Sequence, residues 1–245
     1  MKKILLLFCL CLLSCTIQSQ QVLIYTHNGE GYVHDNLTAS TKALLKIGKE
    51  NGLQMSVSDD PEFFTESKLK NLDLIIFNNT NNEAFYSDAQ REAFRSFIEN
   101  GGAFVGIHIS TGSERNWPWF WKMQGGKFRS HPEFQAFDIH VIDDSHPSTA
   151  FLDKVWKWED ECYYFDHFNP AINILLAADL QTIEDDKKED YPGTVFGEFT
   201  PLAWYHHFGK ARIFYTALGH DIKHYQNSEF LKHLEEGIKW TLKNE

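Results

Sequence analysis

The chain has 245 residues, with 34 acidic against 23 basic side chains and a formal charge of −11. A surface this acidic repels phosphate backbones and anionic lipids, so no nucleic-acid partner is expected, whereas neutral sugars meet no such penalty and cations are attracted. The length suits a single α/β domain, and 20 Phe, 9 Tyr and 7 Trp promise an ample core.

Residues 1–20 read as a signal segment rather than as fold. Lys2-Lys3 form a positive start, and Ile4 to Leu13 form an apolar run too short to span a bilayer. Leu12-Leu13-Ser14-Cys15 resembles a lipobox with a lipid anchor at Cys15, and the alternative is ordinary cleavage near Gln20. Either way the mature protein is expected to be exported: periplasmic, secreted, or an outer-membrane lipoprotein. No later segment is apolar enough for a membrane span. Without Lys2 and Lys3 the balance becomes 21 basic against 34 acidic residues, or −13. Three of the four cysteines fall in this segment, which leaves Cys162 with no intramolecular disulfide partner.

The single domain is read over residues 21–245. Val22 to Thr26 predicts a buried strand, and His27 to Asp35 a Gly-containing loop at its carboxyl end. Leu37 to Glu50 has helical spacing and closes at Asn51-Gly52. Leu53 to Ser58 and Leu72 to Phe77 predict further strands, the latter running into Asn78-Asn79-Thr80. Ser87 is placed to cap a helix through Glu99, with Gln90 as its capping-box partner. Gly101-Gly102 then feeds the strand Ala103 to Ile107. Strands alternating with helices argue for a parallel sheet with right-handed crossovers.

The second half reads differently. Phe134 to Ile142, Val155 to Trp158, Asn173 to Ala178, Pro201 to His207 and Arg212 to Thr216 predict short strands with little helix between them. Asp143 to Ser145 predicts a turn that His146 stabilises, with Ser148 or Thr149 capping a helix from Ala150. Glu184 to Asp190 predicts a solvated charged loop, and Ser228 to Leu242 an amphipathic helix.

The most informative stretch is Gly101 to His131, GGAFVGIHISTGSERNWPWFWKMQGGKFRSH. An apolar strand delivers His108 to its carboxyl end, where open α/β sheets bind ligands. Together with YTHNGEGYVHDN, HPST, WEDECYYF and FYTALGHD, this stretch resembles the trehalose-utilization (ThuA-like) family from about Val22 to Trp240. The resemblance implies a flavodoxin-like, doubly wound, mainly parallel sheet similar to class I glutamine amidotransferases, here with an antiparallel extension. Those enzymes carry a cysteine at the elbow after the equivalent strand. Gly106-Ile107-His108-Ile109-Ser110 has histidine there, which excludes thiolate amidotransferase chemistry.

Loops after the first and fourth strands flank the usual crevice, so His34 and His108 are expected to converge. His131, His206 and His220 are further candidates for substrate contact. His140, His167, His207, His224 and His233 are read as structural or surface residues. In Trp158-Glu159-Asp160-Glu161, strand alternation would put Glu159 and Glu161 on one face and Asp160 on the other. Glu161, in the D-E-x-Y element that the resemblance carries, is the favoured carboxylate. Trp117 and Trp119 would offer indole faces for sugar stacking, or else pack beneath the elbow. No G-x-S-x-G supports a serine nucleophile, and Cys162 has no basic neighbour fixed beside it.

Two functions are compatible with these residues. The first is an exported lyase, hydrolase or isomerase acting on a keto-disaccharide or glycoside, a substrate class that the resemblance implies. In it His108, His34 and Glu161 are catalytic, and His34, His108, Glu161 and His206 are candidate ligands for a divalent ion such as zinc. The second is a non-catalytic sugar-binding protein whose aromatics carry the affinity. His108 is expected to be half-solvated if it serves a site, and enclosed if it is scaffold.

Overall fold

A computed structural model describes residues 19–187 and 198–243. The signal segment, apart from Ser19 and Gln20, lies outside the described residues, as do residues 188–190 of the charged loop.

Among the described residues, nine strands form one sheet. Its parallel half consists of β2 (Gln54–Ser58), β1 (Gln21–Tyr25), β3 (Leu74–Asn78), β4 (Ala103–Ile107) and β11 (Ala211–Thr216), in that spatial order. All four pairings within this half are parallel. The order is that of a flavodoxin-like sheet, with the switch point between β1 and β3. The sheet continues antiparallel through β10 (Phe199–Phe208), β9 (Asn173–Asp179), β6 (Gln135–Val141) and β7 (Val155–Asp160). A separate two-stranded ribbon pairs β5 (Lys127–Ser130) with β8 (Tyr164–Asp166).

The period-2 geometry of the central strands sorts their side chains into two cores. Val22, Ile24, Leu74, Ile76, Val105 and Ile107 face α1 (Leu37–Glu50) and α5 (Ser228–Thr241). Leu23, Tyr25, Ile75, Phe77 and Phe104 face α3 (Asp88–Glu99) and α4 (Pro118–Gln124), while the one-turn α2 (Glu66–Leu69) packs beside α3. Both sheet faces are covered, which explains why β1, β3 and β4 read as unbroken apolar runs.

Local signals are accurate where the chain is regular. Ser87 and Gln90 form the reciprocal capping box, and β4 has the predicted bounds. The chain after Thr149 departs from expectation: residues 150–151 remain in a turn, and no helix begins at Ala150. Thr149 Oγ1 instead donates to the Asp143 carbonyl, while His146 Nδ1 accepts from the Ser148 amide. These local bonds offer the backbone an alternative to a helix, and His233 Nδ1, 2.9 Å from the Ser148 carbonyl, ties the turn to α5.

Candidate metal centre

The site forms where four loops meet at the carboxyl edge of the parallel half. His34 comes from the loop after β1, His108 from the end of β4, His220 from the end of β11, and Glu161 from the end of β7. One ligand atom from each lies within 4.8 Å of all the others.

His108 holds the centre. β4 ends in a tight turn, His108–Gly112, and His108 itself adopts φ 53°, a left-handed conformation that non-glycine residues seldom take. Two bonds hold it there: Tyr215 Oη donates to its carbonyl (2.7 Å), and its Nδ1 lies 2.7 Å from the Ala217 carbonyl. A carbonyl only accepts, so Nδ1 carries the proton and Nε2 of the neutral ring presents a lone pair. Tyr163 Oη lies 2.7 Å from that nitrogen, His34 Nε2 lies 3.2 Å away, and Glu161 Oε2 lies 3.7 Å away. Two nitrogens on one tetrahedral ion, each at about 2.0–2.1 Å, stand about 3.3–3.4 Å apart, so the His34–His108 spacing suits shared ligation. A carbonyl-anchored Nδ1–H is also the usual outer support of a metal-binding imidazole. His34 Nδ1 is buried and has no hydrogen-bond partner among the described residues.

Charge in the site is graded. Burial, with a smaller push from His220, lowers His34 to about 4, and burial likewise drives His108 well below its ordinary value. Both rings are therefore neutral, as ligands must be. Burial would raise the Glu161 carboxyl, but His220, His131 and His34 outweigh it and hold it below the usual carboxylate range. His220 moves the other way: burial opposes its protonation, yet Glu161, 3.2 Å from its Nδ1, lifts it above the ordinary value.

Asp160 supports two of the four residues from beneath. It is fully buried and accepts from the backbone N–H groups of Glu161 (2.9 Å), Gly219 (2.9 Å) and His220 (3.3 Å), and from the Trp158 indole (2.9 Å). Burial raises its carboxyl against the pull of His224, whose Nδ1 lies 3.5 Å away, and of these donors, yet the four hydrogen bonds all come from N–H groups, which the ionised form satisfies best. Asn36 ties the loops from another side, donating to the carbonyls of Gly219 (2.6 Å) and His220 (2.8 Å) and reaching Asn79.

The sequence-derived candidates separate into two sets. His34, His108, Glu161 and His220 come together, and His131 sits at the rim with Nε2 3.7 Å from Glu161 Oε1. His206 does not join them. It pairs across the sheet with Ile213, three residues and about 10 Å short of the end of β11 at Thr216. It is fully buried and bonded to the Met123 carbonyl (2.9 Å). Trp117 and Trp119 also lie elsewhere, stacked at 4.9 Å and packed into the α3 core against Phe85 and Phe94. Pro118 starts α4 between them, and both indoles pack against that core. Rings beside the histidines come instead from Tyr32, 4.9 Å from His34 and 60% exposed, and Phe134, 5.7 Å from His220. Strand alternation misassigns the acidic run as well. β7 stops at Asp160, so Glu161 leaves the strand face and enters the cluster, while Glu159 stays at the surface with Lys223.

Asp160, Tyr163, Asn36 and Tyr215 are site residues that sequence reasoning missed. Asp160 and Tyr163 stand within the WEDECYYF motif and Tyr215 within FYTALGHD, so position beside a candidate was the available signal.

The fold and the elbow define an α/β protein of class I glutamine amidotransferase-like architecture, with a histidine–carboxylate cluster in place of the nucleophile. The chain belongs to the ThuA family, described as trehalose utilisation, whose sequence profile matches residues 21–241. Among solved structures it is similar to a ThuA-like protein from Bacteroides uniformis, at 24% identity and TM-score 0.73 over 91% of each chain. A ThuA-like protein from Parabacteroides merdae follows, at 19% identity and TM-score 0.71 over 92% of this chain and 90% of that one. A protein described as a GMP synthase component, from Thermoplasma acidophilum, shares the fold at 11% identity and TM-score 0.53, over 91% and 94%. No curated protein matches the chain.

Proposed function

We propose that this protein is an exported carbohydrate-active enzyme that uses the cluster to act on a keto-disaccharide or glycoside by elimination, hydrolysis or isomerisation. The observation that carries the reading is the convergence of His34, His108, Glu161 and His220. Three neutral or switchable imidazoles and one carboxylate form a donor set suited to zinc or a similar divalent ion. Such an ion, when bound, supplies polarisation of a substrate carbonyl. A ketone at C3 of a sugar acidifies the proton at C2, and a positioned base there contributes about 10²–10⁴-fold in rate. Glu161 stays ionised, so it can hold the ion or, where His34 and His108 hold it, take the substrate proton, and the raised His220 beside it can return that proton when it is not a ligand. Tyr163 Oη, 2.7 Å from His108 Nε2, is a neutral hydroxyl beside the cluster that becomes available as a proton donor if that nitrogen is taken by the ion.

A second reading, a sugar-binding protein without catalysis, is favoured by the exposed Tyr32 ring and by Phe134 beside the cluster.

Elemental analysis of the protein after incubation with zinc, and again after dialysis, separates the readings. The enzyme reading expects about one equivalent retained, turnover of 3-keto-trehalose that a chelator abolishes, and loss of both in His220→Ala. Absence of retained metal, together with chelator-insensitive or absent turnover, overturns it.

A further inference from the structure

We propose that Arg115 is the recognition group of a subsite, beside the histidine cluster, for a carboxylate-bearing sugar unit such as a uronic acid. The proposal rests on the carbohydrate reading above and narrows its substrate class.

Arg115 follows the His108–Gly112 turn by three residues and is half-buried. Its Nε donates to Asn82 Oδ1 (3.2 Å) and its Nη2 to Asn81 Oδ1 (3.1 Å), and its guanidinium lies 5.5 Å from the Phe128 ring centre. All these partners are neutral. Arg91, Arg95 and Arg129 each pair with a carboxylate, but among the described residues none comes within ion-pair distance of Arg115. Burial lowers its pKa, and Tyr163 and Glu83, neither paired with it, compensate the positive form only in part. Nη1 bonds to none of the described residues. A fixed, partly desolvated cation with one edge of its fork free is what a carboxylate ligand would complete.

The groups that hold Arg115 also border the cluster. Phe128 lies 4.6 Å from the Tyr163 ring, which stacks on His108 at 4.5 Å. On the other side Asn81 Nδ2 donates to the Tyr32 carbonyl, and the Tyr32 ring meets His34 edge-on at 4.9 Å. Arg115 is therefore joined to both flanks of the cluster, through Phe128 on one side and Asn81 on the other, so a carboxylate-bearing unit held there would neighbour the unit at the histidines. An acidic protein that admits an anion needs such a local cation, because its general field opposes entry.

The test is calorimetric titration of methyl β-D-glucuronoside and methyl β-D-glucoside into wild type, Arg115→Met and Arg115→Lys. A charge-assisted fork predicts that wild type favours the glucuronoside by about 10-fold or more. Arg115→Met should erase the preference, and Arg115→Lys, which keeps the charge without the fork, should retain only part of it. Zinc uptake is measured on the same samples and should not change. Equal binding of the two glycosides, no binding of either, or a preference unaltered in both variants overturns the proposal. Loss of zinc binding in wild type would instead count against the enzyme reading and leave the glucuronoside result standing.

Discussion

His108 shows how one residue combines functions that its sequence context sets apart. A site histidine is expected to be half-solvated, yet this one is fully buried, backbone-strained and bonded at both ring nitrogens. Removing it would leave a cavity and unpaired partners whichever role it plays, so stability cannot separate the roles, and the half-buried His220 is the better position to test. Asp160 offers a second handle at this scale. Asp160→Asn keeps the size but replaces one acceptor oxygen with an NH₂ group facing N–H donors. The expected outcome is a zinc affinity about 10- to 100-fold weaker in competitive chelator titration, with the ligands themselves intact. Unchanged affinity would show that Asp160 serves only the fold.

Elements position these residues, and their packing sets the sign of substitutions. Gly237 lies within α5, where alanine alone would favour the helix by about 1 kcal/mol. A Cβ there would run into the Phe214 ring of β11, which is fully buried and closely surrounded. Overpacking of a tight core costs about 1–3 kcal/mol, so Gly237→Ala should be net destabilising in urea unfolding followed by circular dichroism. A stabilised variant would mean that α5 can move off the sheet without cost. Loops answer to similar constraints. His220 and Gly219 are held by Asn36 from the loop after β1 and by Asp160 from β7, so the site depends on both halves of the sheet.

Across the whole molecule, buried imidazoles set the response to acid. Burial lowers His146, His206 and His233 each to about 4. In the unfolded chain these rings return to about 6.5. Between pH 6.5 and 4 the unfolded state therefore binds more protons, and stability falls as the pH drops through that window. At pH 5 the loss is up to about 2 kcal/mol for each ring, so the urea midpoint should fall clearly between pH 7 and pH 5. An unchanged midpoint would mean that these rings find partners for the charged form inside the fold.

What the sequence determined alone was the part governed by near neighbours along the chain. Apolar runs, Gly-Gly turns and the Ser87–Gln90 pair specified strands and helices, because strand period, helix period and caps act over a few residues. Strand alternation with helices, supported by the family resemblance, was enough to place His34 and His108 at one sheet edge. Tertiary structure decided which groups meet. His34 and His108 are 74 residues apart, and strand order brings their Nε2 atoms to 3.2 Å. The same order leaves His206 short of the edge, and the packing of α4 against α3 turns Trp117 and Trp119 into the opposite core. Glu161 joined the cluster only because β7 ends one residue earlier, at a carboxylate that two loops share. Side-chain convergence depends on distances through space, and local periodicity carries no information about those.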